Sequence, residues 1–100
     1  MTVSIENGQL IVTVNEQGAE MTSIKHKETG LEYLWTADPQ YWGRHAPILF
    51  PIVGALKNST YRYEGKEYTL PQHGFARDRQ FEVVAKEADR VSLCLKADEA

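Results

Sequence analysis

One hundred residues and 11.4 kDa make one domain at most, and size scaling predicts that folding buries about 65% of the extended chain's surface, so any core is marginal. Hydrophobic residues at 42% and charged residues at 25% exclude the polar composition of a disordered chain. A net charge of -3 and a pI near 5.6 provide no basic field, so neither nucleic acid nor an anionic membrane surface is an expected partner.

From Met1 to Asn7 there is neither a basic region nor a long apolar run, so the start does not read as a signal peptide, and no stretch reaches the length of a transmembrane helix. Strand chemistry begins at once. Ser4-Ile5-Glu6 leads through the turn pair Asn7-Gly8 into residues 10–14, where Leu10, Val12 and Val14 share a face. Residues 19–25 form a weaker strand, and the polar cluster from His26 to Gly30 turns the chain into a further strand over 31–35. Residues 36–47 carry Pro39, Gly43 and Pro47, which break helix and ladder alike, yet Tyr41 and Trp42 argue for an ordered loop packed over a surface. Ile48, Leu49, Phe50, Ile52 and Val53 are the expected buried segment after it.

A second hairpin is expected from residues 61–63 and 67–70 across Glu64-Gly65-Lys66. A third pairs residues 80–86 with 90–96 across Glu87-Ala88-Asp89, with Phe81, Val83 and Ala85 on one face and Val91, Leu93 and Leu95 on one face. The lone Cys94 lies in that last strand, which leaves no intrachain disulfide and no cysteine metal cluster, favours packing over reactivity, and fits a reducing compartment. Recurrent turns between short strands, without an amphipathic helix, are the habit of an antiparallel sandwich or barrel.

The stretch richest in chemistry is Gln72-His73-Gly74-Phe75-Ala76-Arg77. An imidazole and a guanidinium fork stand four residues apart beside a glycine that permits close backbone approach, a set suited to a small oxygen-rich ligand. Spacing alone more often describes a turn than a site. Arg44 can stack on Trp42, Arg77 can pair with Asp78 or Glu82, and Trp35 and Trp42 can be either a sugar-stacking platform or core aromatics. The glutamates fall on turns or outward strand positions and make no carboxylate pair for glycoside hydrolysis, and there is no phosphate-cradling glycine loop and no histidine pair at metal-ligand spacing.

Three segments in order, Ala46-Pro47-Ile48-Leu49-Phe50-Pro51 with Gly54, Tyr61 with Gly65-Lys66 and Tyr68, and residues 72–77, resemble the amino-terminal third of the aldose 1-epimerase (galactose mutarotase) family. The resemblance lies on the branch that includes lactose-operon mutarotase-like proteins and hexose-6-phosphate mutarotases. It implies an all-β fold, the large antiparallel β-sandwich (supersandwich) of the galactose mutarotase-like proteins, of which residues 1–100 supply the early strands. It also implies that the chain continues for roughly two hundred further residues, a size one large β-domain can reach.

The implied activity is that of a cofactor-independent, cytoplasmic isomerase interconverting the anomers of a hexose or hexose phosphate. Its implied partners are that small sugar and either the remaining part of the same protein or a second copy. The family's acid histidine and base glutamate correspond to no residue here, so no catalytic residue and no metal ligand is assigned. His73 matches the family's first active-site histidine, Arg77 the pocket-rim arginine of the phosphate-sugar branch, and Arg44 the arginine that opens the Pro-rich motif. All three are expected to bind substrate. His45 and Ala55 depart from the pattern, where that branch often has glycine and many mutarotases have a sugar-binding arginine. The rival readings are a carbohydrate-binding β module without catalysis and a purely structural segment whose polar motif is a turn.

Overall fold

Asn7 starts the fold by closing its first hairpin with its own side chain. The Asn7 carboxamide oxygen accepts the amides of Gln9 and Leu10, each at 2.8 Å, and the Asn7 amide returns to the Leu10 carbonyl. This turn joins β1 (Thr2–Glu6) to β2 (Leu10–Asn15), with Val3 opposite Val14 and Ile5 opposite Val12. β3 (Glu20–His26) completes an antiparallel meander in the order β1-β2-β3 and places Ile24 across from Val12. A bulge leaves Thr22 without a partner between the pairs Thr13–Ser23 and Val14–Met21. Cross-strand partners share a face, so Val3, Ile5, Val12, Val14 and Ile24 form one apolar surface. The computed structural model describes residues 1–97, and the end of the tail, residues 98–100, lies outside the described residues.

The expected strand over 31–35 is reduced to a single bridge between Lys25 and Glu32. Glu32 turns its carboxylate back onto the neighbouring backbone, where it accepts the amides of Ile24 and Leu34 and the Ser23 hydroxyl. Two backbone bonds flank the bridge, His26 N–H to the Leu31 carbonyl at 2.9 Å and Tyr33 N–H to the Ile24 carbonyl at 2.8 Å, and the Glu32 side chain takes the amides at its two ends. Residues 36–47 are an ordered loop. Asp38 accepts the Gln40 amide through its side chain and the Tyr41 and Trp42 amides through its carbonyl, while the Trp35 indole donates to the Trp42 carbonyl at 2.9 Å.

β4 (Thr60–Tyr63) and β5 (Lys66–Thr69) form the second hairpin, with Glu64 and Gly65 both at positive φ as a primed turn requires. The facing rings of Tyr61 and Tyr68 stack at 5.2 Å. The third hairpin pairs β6 (Glu82–Lys86) with β7 (Val91–Cys94), but a bulge at Val84 changes its faces. Val83 lies opposite Leu93 as expected, whereas Ala85 lies opposite Ser92 and leaves the apolar face. The extra residue reverses the alternation, which no period-2 reading anticipates. Helix among the described residues amounts to two three-residue 3-10 turns, Lys57–Ser59 and Ala76–Asp78.

The sheets are linked through backbone bonds. Gly18 donates to the Arg79 carbonyl, Phe81 to Glu16, and Glu6 to Ala88, tying the β2–β3 turn and the end of β1 to the third hairpin. Among the described residues the buried hydrophobic side chains are only Val14, Leu70 and Ala76. The expected buried segment after Pro47 is in fact largely open, with Phe50 56% and Val53 75% exposed. The molecule measures 56 × 34 × 17 Å with a radius of gyration of 16.5 Å, against about 13 Å for a compact domain of this length. A layer this thin has no second sheet to cover residues 48–53, which is why an apolar run does not become a core.

Candidate functional site

The site is built where the chain leaves β5. His73 at φ 63° and Gly74 at φ 74° reverse its direction in two consecutive left-handed residues, and the Gly74 amide closes the turn on the Pro71 carbonyl at 2.9 Å. Gly74 is also a point of close approach. A Cβ there would lie 2.1 Å from the Phe50 carbonyl oxygen, and that same oxygen accepts the amides of Phe75 and Ala76 at 3.0 and 3.2 Å. Residues 50 and 74 thus form a parallel bridge that docks the Pro-rich run against the turn.

His73 exchanges two hydrogen bonds with Gly54. The His73 amide donates to the Gly54 carbonyl at 2.8 Å, and the Gly54 amide donates to His73 Nδ1 at 2.8 Å. Because Nδ1 is an acceptor here, the neutral imidazole carries its proton on Nε2. The ring is fixed in orientation and in tautomer, as a donor.

The opposite wall comes from the 36–47 loop, held down by Glu20 of β3. Its carboxylate accepts the amides of His45 and Ala46 at 2.6 and 3.2 Å, and stands 3.7 Å from His45 Nδ1. Between the walls lies a cleft of about 550 Å³, lined by Trp42, Ala46, Pro47 and Leu49 on the loop side and by Gln72, His73 and Arg77 on the other. The volume suits a ligand the size of a monosaccharide or its phosphate.

Of the three sequence-expected binding residues, the fold brings His73 and Arg77 into this cleft. Arg77 donates from Nη2 to the Gln72 carbonyl at 3.1 Å, rather than pairing with Asp78 or Glu82, and its Nε is buried without a protein partner. Arg44 does not line the cleft. Its guanidinium is engaged by Asp78 at 2.9 Å, not stacked on Trp42. The tryptophans separate: Trp42 lines the cleft, while Trp35 stands edge-on to Tyr41 and braces the loop from behind. Both are exposed, so neither is a core aromatic.

Gly54, Glu20 and Asp78 have no expected role at the site in the sequence, although Gly54 belongs to the Pro-rich motif and Asp78 is a possible partner of Arg77. Gly54 carried a signal, a glycine closing the Pro-rich motif. The partners of Glu20 and Asp78 carried none, because they lie 25 and 34 residues away.

Chemically, the cleft offers a fixed imidazole donor, a permanently charged fork and an indole face for the C–H side of a pyranose. Among the described residues that line it there is no carboxylate, and no group of three or more metal-ligating side chains occurs among the described residues.

The all-β antiparallel chain has the fold of the galactose mutarotase-like proteins. It superposes on a galactose mutarotase related enzyme from Lactobacillus acidophilus with a TM-score of 0.96 at 48% identity, covering 99% of this chain and 33% of that one. A galactose mutarotase-like protein from Lactobacillus casei gives 0.89 at 42% identity, over 93% of this chain and 32% of that one. The family model for aldose 1-epimerase matches residues 1–100, and the chain belongs to that family. The chromosomal and plasmid LacX proteins of Lactococcus lactis subsp. lactis are 41% and 42% identical over 101 residues, which is 96% of this chain and 33% of theirs. The chain therefore spans about a third of the length of the relatives it matches.

Proposed function

We propose that residues 1–100 supply part of the carbohydrate site of an aldose 1-epimerase-like enzyme, a cytoplasmic isomerase of a hexose or hexose phosphate. The observation that carries this reading is the His73–Gly54 exchange, which leaves Nε2–H as the donor of a neutral imidazole in a cleft that Trp42 also lines. Mutarotation opens the ring at the anomeric carbon. A base takes the C1 hydroxyl proton while an acid protonates the ring oxygen, and the two must act on opposite sides of the sugar.

In this reading His73 Nε2–H donates to the substrate near the ring oxygen and polarises it. Arg77 stands at the rim, where its fork meets hydroxyl or phosphate oxygens. Neither residue shuttles a proton: the guanidinium stays charged, and the imidazole nitrogen that could accept one is occupied by Gly54. The acid and base therefore come from outside these hundred residues. No metal or organic cofactor is required.

A second reading, a carbohydrate-binding module without catalysis, is favoured by one observation, the absence of a carboxylate among the described lining residues. Polarimetry of freshly dissolved α-glucose and α-galactose, with the full-length protein, separates the two. Enzyme-dependent relaxation that falls in His73→Asn supports the mutarotase, and saturable sugar binding without any acceleration supports the module.

A further inference from the structure

Arg44 and Asp78 lie 34 residues apart in the chain and 2.9 Å apart in space. Each is flanked by the cleft. Arg44 stands two residues from both Trp42 and Ala46 on one wall, and Asp78 follows Arg77 on the other, so the pair links the two lining segments without itself lining the cleft. Its side chains are 35% and 54% exposed, and a pair so solvated contributes little to stability. Its consequence is a matter of charge. The Glu20 carboxylate is spent on the amides of the loop, and of the guanidiniums of Arg44 and Arg77 the Asp78 carboxylate is committed to the one that does not line the cleft. Arg77 is left as the cation of the cleft, with a buried Nε that no protein atom satisfies.

We propose that Asp78 is a specificity-determining residue: by engaging Arg44 it keeps a second cation out of the cleft's field and tunes the site toward neutral hexoses over their 6-phosphates. This rests on the carbohydrate reading above and adds to it the choice of substrate charge. Removing the Asp78 carboxylate makes the rim more positive by one unit. Removing Arg44 instead leaves Asp78 unpaired and makes the rim more negative by one unit. The two substitutions therefore push in opposite directions on an anionic substrate, which two ends of a merely structural brace do not.

The test measures kcat/KM of the full-length protein for glucose and galactose and for their 6-phosphates. The expected result is that Asp78→Asn raises the phosphate-to-free-sugar ratio about three- to fivefold and Arg44→Met lowers it by a similar factor, as for one charge at roughly 8 Å in a solvated rim. Asp78→Glu restores the original ratio, and both shifts shrink at about 0.5 M salt. If either variant fails to fold, the sign of the other still decides. Parallel losses on both substrate types, or a ratio that neither variant moves, overturn the proposal while leaving the carbohydrate reading intact. A wild-type protein that neither turns over nor binds any of the four sugars overturns both.

Discussion

Gly54 and His73 hold each other by two reciprocal hydrogen bonds, amide to carbonyl in one direction and amide to ring nitrogen in the other, each 2.8 Å long. A glycine in the Pro-rich run thereby determines which nitrogen of a histidine nineteen residues later can face a ligand. The proposed role follows from the bond: in the mutarotase reading His73 is a positioned donor, and proton transfer is left to other groups.

In the full-length protein, His73→Asn should lower kcat/KM about ten- to a thousandfold, as for losing a preorganised donor at developing charge. Asparagine tolerates the left-handed backbone at φ 63° better than most residues, so the substitution tests the ring rather than the turn. Nitrogen-15 shifts of the imidazole check the tautomer directly. A protonated Nδ1 with bare Nε2 would contradict the Gly54 bond.

Arg77→Ala should cost on the order of 1.5 to 3 kcal/mol in transition-state stabilisation for a hexose 6-phosphate and little for the free sugar, because the charge-assisted contact exists only where the phosphate does. Equal losses on both substrates would leave Arg77 a structural residue bonded to Gln72.

Gly74→Ala should destabilise the protein by about 3 kcal/mol or more, since the new Cβ would meet the Phe50 carbonyl at 2.1 Å as well as require positive φ. Gly65→Ala, at φ 80° in an open hairpin turn, should cost only about 1 to 2 kcal/mol. Urea denaturation of the two variants compares them, and similar losses would show that the Phe50 contact relaxes.

Glu32 provides a pH dependence. The Ser23 hydroxyl, followed by the Ile24 amide, holds its carboxyl below the usual carboxylate range, with smaller help from the Leu34 amide and Lys25 and against an opposing desolvation effect. The folded state then binds fewer protons at this site than the unfolded one. The stabilisation is complete above the usual carboxylate range and is lost as pH falls through the lowered folded value. Glu32→Gln should therefore melt below wild type at neutral pH, with the gap closing in acid. A gap independent of pH would assign the effect to packing.

The chain 1–100 alone should associate in solution and should not accelerate mutarotation. Phe50, Val53, Tyr63 and Trp42 are each more than half exposed, and β-edges remain unpaired. Sedimentation at several concentrations, with polarimetry on the same samples, checks both. A compact monomer with a cooperative melt would contradict the first expectation, and a heat-labile rate lost in His73→Ala the second.

The three hairpins were legible in the sequence because their causes are local. Asn7-Gly8 and Glu64-Gly65 specify turns, and alternation specifies which residues face each other. The family motif likewise carried His73 and Arg77 to one cleft, since four residues around a turn cannot separate far. Tertiary structure decided what depends on distant partners. The expected strand over 31–35 shrank to one bridge at Glu32, whose carboxylate binds the amides of Ile24 and Leu34, the bulge at Val84 moved Ala85 off its face, and Asp78 engaged Arg44. It also decided that the apolar run after Pro47 is exposed. A sequence records how strongly residues favour burial, but burial itself requires a second surface, and within this thin layer residues 48–53 find none.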